Sequence, residues 1–220
     1  SVMRANSREL KNDMEYALVR NQAGTAGGAA TARSSAGMES YIGGTASSTA
    51  ATTVILTTSI ASSTTAPLTT GAPAAPTDTA AGSSAALTEA AFKLALEAAW
   101  ANGGMTDTVL CNSTNKKVIS GLSSVATRNI DVGRNQEASI VAASDLYVSD
   151  WGVHKIVLHR HVRTEAVLCL DTDYWAVAML RAPFSEKLAK TGDAEKRQLI
   201  AEFCLVCRNV SANSKINGML

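Results

Sequence analysis

Apolar residues recur at helical spacing from the start of the chain. Met3, Leu10, Met14, Ala17 and Leu18 form one stripe, with Arg4, Arg8, Lys11, Asp13 and Arg20 mostly off it. No Gly or Pro interrupts residues 2–22. The pattern predicts a helix from Val2 to Gln22, roughly 30 Å long at 1.5 Å per residue. After Asn21 the periodicity dissolves into Gly24, Gly27, Gly28 and Gly37, which reads as loop or strand-turn. Gly24–Gly28 is not a phosphate loop, because no strand precedes it and no Lys-Ser/Thr follows. From Gly43 to Leu87 the single charged residue is Asp78, and Pro67, Pro73 and Pro76 are three of the chain's four prolines. Within that stretch Thr52–Ile60 is rich in β-branched residues and reads as a strand, while Pro67–Ser84 reads as linker or surface loop. Such an insertion is cheap in loop entropy. Its functional alternative is contact with a partner or a neighbouring subunit.

Regular structure resumes at Thr88, an N-cap with Glu89 in the first turn. Phe92, Leu96, Ala99 and Trp100 form the expected apolar face, and Asn102-Gly103-Gly104 ends the helix. Asp107–Cys111 reads as a short buried strand, and Asn112 or Ser113 caps a second helix to about Leu122. Asn129–Glu137 is polar and reads as loop. Strands are expected at Asp145–Ser149, His154–Arg163, Ala166–Leu170 and Trp175–Leu180, with a break at Ala182-Pro183. In the second of these, Ile156, Leu158 and Val162 share one face; Lys155, Val157, His159, His161 and Arg163 share the other. Thr191-Gly192-Asp193 is a turn. Leu199–Val210 is a long strand, with Leu199, Ala201, Phe203, Leu205 and Cys207 on one face, Glu202 and Arg208 on the other.

The chain has 220 residues, enough to bury a substantial core without a metal or disulfide staple. Of these, 38 are Ala, and aromatics are only 5%, so the 46% hydrophobic content overstates the supply of large core side chains. The balance of 20 Lys and Arg against 19 Asp and Glu argues against a polybasic nucleic-acid-coating protein or an acidic tail. No apolar run has membrane-spanning length, and no signal peptide opens the sequence.

The candidate chemistry is thin. His159 and His161, two apart on an expected strand, would present two imidazoles to one side. Lys155 and Arg163 on the same face oppose a cation, so a basic strand face is the favoured reading. Cys204 and Cys207 have C-x-x-C spacing, but residues three apart on a strand face opposite ways and neither chelate nor pair. All four cysteines, with Cys111 and Cys169, are expected as buried free thiols. Lys190-Thr191-Gly192-Asp193 lacks a glycine-rich loop. Asn112-Ser-Thr and Asn209-Val-Ser are glycosylation sequons by pattern alone. Glu165, Asp171 and Asp173 do not form an acid/base pair. No catalytic, cofactor-binding or metal-binding residue is assigned, and no cofactor is expected.

Several phrases in order carry a family resemblance: KNDMEYALVRNQ (Lys11–Gln22), LTEAAFKLALEAAWANGG (Leu87–Gly104), LYVSDWG (Leu146–Gly152), and the stretch from Val167 to Asn209 that includes DYWAVAMLR and LAKTGDAEKRQ. Residues 1–42 and 87–220 resemble the major capsid proteins of tailed bacteriophages, most closely a branch known as a domain of unknown function; residues 43–86 depart from it. The resemblance implies an α+β chain with the Hong Kong 97-type capsid fold. A long spine helix and a peripheral β-sheet would accompany a compact α/β axial domain. By the same resemblance the family's N-terminal arm and extended loop would precede the spine helix, and they are not expected within these residues.

By that correspondence, residues 1–42 are the spine helix and the start of the peripheral domain, and 43–86 an Ala/Ser/Thr-rich surface insertion. Residues 87–180 are mainly axial domain, and 181–220 the long peripheral strand and C-terminus. The implied function is a non-enzymatic shell subunit of the virion, assembled in the host bacterial cytoplasm. It would build pentamers and hexamers of itself and enclose double-stranded DNA without reading sequence. Scaffold, portal and decoration proteins would be further partners, and no membrane is involved. The rival readings are an encapsulin-like nanocompartment shell and, from a different class, a metal or thiol enzyme using His159, His161 and a Cys.

Overall fold

A computed structural model describes residues 2–20, 22, 24–25, 27–30, 32–42, 55–58, 87–122, 145–190, 192–193 and 196–217. The chain is α+β and divides into two compact units. Most of the 43–86 insertion and the expected 129–137 loop lie outside the described residues.

The first unit contains helix α1 (Val2–Val19), a single helical turn α2 (Met38–Tyr41) and a two-stranded antiparallel ribbon of β6 (Trp175–Lys187) and β7 (Arg197–Cys207). Helix α1 forms where the stripe predicted it. Leu10, Met14, Ala17 and Leu18 are half-buried, Val19 is buried, and most intervening positions are exposed. It ends three residues before the expected Gln22, where the Arg20 guanidinium lies over the Tyr16 ring at 4.9 Å. Helix α2 was not anticipated. It brings Tyr41 edge-on to Trp175, with centroids 5.9 Å apart.

The ribbon departs from the sequence reading. Strand β6 does not stop at Leu180 but runs through Pro183 to Lys187, with register shifts between Met179 and Arg181 and between Arg181 and Phe184. Pro lacks a ladder donor and is confined to edges and bulges, and β6 is an edge with bulges at this point. A domain boundary at 180 therefore cuts through a continuous strand. Strand β7 spans 197–207 rather than 199–210.

The second unit is a mixed six-stranded sheet covered on one face by helices. Its strands are β1 (Ile55–Thr58), β2 (Thr108–Cys111), β3 (Leu146–Ser149), β4 (Gly152–Leu158), β5 (Ala166–Leu170) and β8 (Ser214–Asn217), in the order β1-β8-β5-β2-β4-β3. The β2–β4 pair is parallel and the others antiparallel. The C-terminal strand β8 thus joins this sheet and not the ribbon. Strand β1 lies within the expected 52–60.

Helix α3 (Glu89–Ala101) starts at Thr88, whose side chain accepts the Ala91 N–H, and closes on Asn102 and the left-handed Gly103. Its buried face is Ala91, Phe92, Ala95, Leu96 and Ala99. Trp100, expected on that face, is 59% exposed, because it follows Ala99 by 100° around the helix. Helix α4 (Ser113–Ser120) is capped by Asn112. One core binds the helices to the sheet: Phe92, Leu96 and Ile119 pack with Val109, Cys111, Tyr147, Ile156, Val167, Cys169 and Ile216. At Gly104 the chain passes so close to Ala212 that an added Cβ would lie 2.7 Å from its Cα.

Strand β4 ends at Leu158, well short of Arg163, and residues 160–165 turn back toward β5. Helix α4 fixes that turn. Asn112 Nδ2 donates to Val162 O (3.0 Å), and Asn115 Nδ2 donates to Thr164 O (2.7 Å) and Ala166 O (3.3 Å).

Candidate functional site

The turn after β4 disperses the expected histidine face. His159 and His161 remain neighbours, with ring centroids 5.6 Å apart, but His161 donates its backbone N–H to His159 Nδ1 (3.3 Å). That bond commits one imidazole nitrogen to the turn's own geometry. The nearest carboxylate in sequence, Glu165, is paired with Arg163 at 3.2 Å. Among the described residues no three His, Cys, Asp or Glu side chains are placed to hold a metal ion.

The cysteines divide into two kinds. Cys111 and Cys169 are buried, and desolvation pushes their thiols up to about 11 and about 12. Cys204 is exposed and Cys207 half-buried, contrary to the expectation of four buried thiols. Both sit on β7, one strand of a ribbon with few layers above it, and three residues apart they face opposite ways. Cys204 contacts Ser35 Oγ at 3.8 Å.

The acidic residues near β5 serve the backbone. Asp107 accepts from Thr172 N–H (2.9 Å), Thr172 O–H (2.7 Å) and Thr108 O–H (3.1 Å). Burial raises its pKa, but these hydrogen bonds together outweigh burial and hold the carboxyl below the usual range. Asp171 accepts Met105 N–H (2.8 Å) and donates its own N–H to Asn213 Oδ1 (3.0 Å).

One polar cluster was missed in the sequence. His154 is 1% exposed, with Nδ1 2.7 Å from Thr106 O and Nε2 2.6 Å from Ser149 Oγ. A carbonyl only accepts, so Nδ1 carries the proton and Nε2 accepts from the Ser149 hydroxyl. Burial lowers the His154 pKa, opposed by the Thr106 hydrogen bond and by Asp107. Ser149 Oγ also accepts Trp151 N–H (3.2 Å), which ties the cluster to the two-residue β3–β4 turn. The arrangement has the polarity of a nucleophile and base, but its hydroxyl is spent on closing a hairpin. The available signal was a His at a core-facing position of a strand, five residues after a turn-opening Ser.

What the first unit offers instead is surface. Apart from Trp175 and Ala176, every residue of β6 is exposed, including Leu180 at 83% and Met179 at 52%. Two apolar-walled grooves run beside it. One, about 980 Å³, is lined by Ala17, Arg33, Ser35, Met179, Phe203 and Cys204; the other, about 380 Å³, by Met14, Leu18, Met38, Trp175, Val177 and Leu205. A two-stranded ribbon is marginal alone in water, and this one carries large side chains in the open. Such a surface suits contact with protein rather than catalysis.

The comparisons with known proteins agree with that character. The family model described as the SU10 major capsid protein matches residues 3–219. No curated protein matches the chain.

Proposed function

From the premise that this chain belongs to the SU10 major capsid protein family, and is the major capsid protein of a phage, we propose that it has the Hong Kong 97-type fold and builds its shell from pentamers and hexamers. The family assignment, covering nearly the whole chain, carries the capsid function, and with it self-assembly into the virion shell. The finer reading draws support from the first unit. An 18-residue helix accompanies a ribbon of 13- and 11-residue strands, as a spine helix and peripheral sheet would. The second unit, a mixed sheet under helices α3 and α4, has the make-up of an axial domain.

In this reading the spine helix is Val2–Val19, the peripheral strands are β6 and β7, and residues 43–86 form a surface insertion. Scaffold, portal and decoration proteins are its further partners, and assembly takes place in the host bacterial cytoplasm. The protein does no chemistry. The shell holds double-stranded DNA by enclosure, in keeping with a net charge of +1, which provides no excess of cations to condense phosphate. The test is electron microscopy of the purified protein at high concentration. Rings of five and six subunits or closed shells are expected, with each subunit traced as helix plus ribbon. Density showing a compact subunit without an elongated helix beside a long ribbon overturns the fold assignment. A strictly monomeric protein at high concentration overturns the assembly reading.

A further inference from the structure

Strand β3 is the outer strand of the six-stranded sheet, and its ladder partner is β4. A polar lock secures it at each end. At its start, Asp145 Oδ1 accepts from the Lys116 ammonium (2.9 Å), and Asp145 O accepts the Ile156 N–H (2.8 Å). At its end, the Ser149 hydroxyl donates to His154 Nε2 (2.6 Å) while its oxygen accepts the Trp151 N–H (3.2 Å). His154 Nδ1–H in turn donates to Thr106 O (2.7 Å), which joins the β3–β4 turn to the chain entering β2. One buried imidazole thus fastens three segments.

The lock at the turn needs a neutral ring. Protonation changes Nε2 from acceptor to donor, and the Ser149 hydroxyl then has to send its proton elsewhere. Gly152 O lies 3.4 Å from Ser149 Oγ, too far for a good bond. The imidazolium would be 1% exposed, and among the described residues no carboxylate bonds to it. The charged groups around it are engaged or face elsewhere. Asp107 attracts the ring's charge, but its oxygens are committed to Thr172 and Thr108. Asp171 holds the Met105 N–H, and on α3 Glu89 pairs with Lys93 (2.9 Å). Asp150 is exposed in the turn, and Lys155 lies on the opposite face of β4. Tyr147 stacks on the ring, with centroids 6.3 Å apart. A buried charge left without a partner is relieved by water. The short way to water is the turn itself, where Ser149 is half-buried and Asp150 and Gly152 are exposed.

The lock at the start of β3 responds differently. Its hydrogen bond to Lys116, and the attraction of that ammonium, hold the Asp145 carboxyl below its usual value. That pair therefore stays charged in the range where an imidazole takes its proton.

We propose that residues 149–153 form an acid-released latch: protonation of His154 opens the β3–β4 turn to water, while Lys116 and Asp145 keep the beginning of β3 in place. The other strands of the sheet do not depend on β3 for their pairing and stay paired. Burial acts in the same direction. It lowers the His154 pKa, so the closed turn prefers the neutral ring and the protonated ring prefers the open turn.

The test is amide hydrogen exchange of the full chain, read by mass spectrometry at about pH 7.5 and about pH 5, each rate divided by that of an unstructured chain at the same pH. Protection over 149–154 is expected to fall roughly tenfold between the two, while peptides from α3 and β5 keep theirs. His154→Gln, which cannot titrate, should show no pH dependence at the turn. Asp145→Asn should let the loss at low pH spread through all of β3. Unchanged protection at the turn of the wild type overturns the latch. So does an equal loss over α3 and β5, which reports global unfolding, and so does a His154→Gln chain that keeps the wild-type response. Loss still confined to the turn in Asp145→Asn overturns the part given to the first lock. The capsid reading is decided separately, by assembly.

Discussion

Phe92 is the side chain on which the second unit's core most visibly turns. It is fully buried, it lies on the sheet-facing side of α3, and it meets Tyr147 of β3 edge-on with centroids 4.9 Å apart at 79°. Phe92→Ala withdraws a buried ring worth about 2–3 kcal/mol in transfer, and an aromatic pair worth about 1 kcal/mol more. Helix and sheet are both pinned nearby, α3 by Ser214 Oγ donating to Ala95 O (2.8 Å) and β3 by its hairpin lock to His154. The site therefore collapses poorly and keeps its cavity, which places the total at about 3–5 kcal/mol. For a chain of this length that is a fall of roughly 10 °C in Tm. Thermal unfolding followed by near-UV circular dichroism, which senses the tyrosine's environment, reads the effect. Phe92→Leu should lose about 1.5 kcal/mol or less. A double-mutant cycle with Tyr147→Leu should show coupling of about 1 kcal/mol. A loss below about 1 kcal/mol for Phe92→Ala would refute the packing argument.

Three further outcomes test other parts of the structure. His154 has its pKa lowered by burial, so the unfolded chain takes the proton first. Its contribution to stability is complete above about pH 6.5 and is lost as pH falls from there toward the folded value. Urea midpoints between pH 7.5 and 5.5 should fall more steeply for the wild type than for His154→Gln; equal slopes would remove the buried imidazole from the account. Gly104→Ala should cost about 1–3 kcal/mol in denaturant unfolding, since its methyl would meet the Ala212 backbone, whereas Gly28→Ala, with open space, should cost little. A thiol reagent should label Cys204 in the native protein and reach Cys111 and Cys169 only on unfolding, because Cys204 is exposed while the other two are buried with their thiols pushed up by desolvation. Rapid native labelling of either buried cysteine would contradict the core packing.

The parts of this fold that were legible in the sequence are those decided within a few residues. The α1 stripe, the Thr88 and Asn112 caps, the Asn102-Gly103 stop and the short strands near 108–111, 146–149 and 166–170 all follow from local periodicity and local hydrogen bonding. What failed needed a partner distant in sequence. His154–Arg163 alternates well enough to read as one strand, yet Asn112 and Asn115, 49 to 51 residues upstream, capture the carbonyls of Val162, Thr164 and Ala166 and turn the chain. Ala182-Pro183 reads as a stop. On an edge strand with bulges the missing donor costs nothing, and β6 continues.

The same distinction explains why the exposure of β6 was hidden while the family was not. Capsid phrases such as DYWAVAMLR are recognisable as strings, but as a pattern WAVAML is indistinguishable from a buried strand of the second unit such as AVLCL. Ala166–Leu170 is buried along its whole length, with β2 and β8 flanking it and its Val167 and Cys169 side chains in the core under the helices. Trp175–Leu180 has one neighbour, β7, and stands mostly in solvent. Hydrophobicity states that a segment is to be covered; only topology states whether its own chain does the covering. In an enzyme the difference between the two is small, and functional residues betray themselves by charge or nucleophilicity. In a shell protein the uncovered remainder is the function. The histidine pair, Cys204 and Asp171 attract notice in the sequence, yet the first holds a turn, the second meets Ser35 at the ribbon and the third accepts a backbone donor.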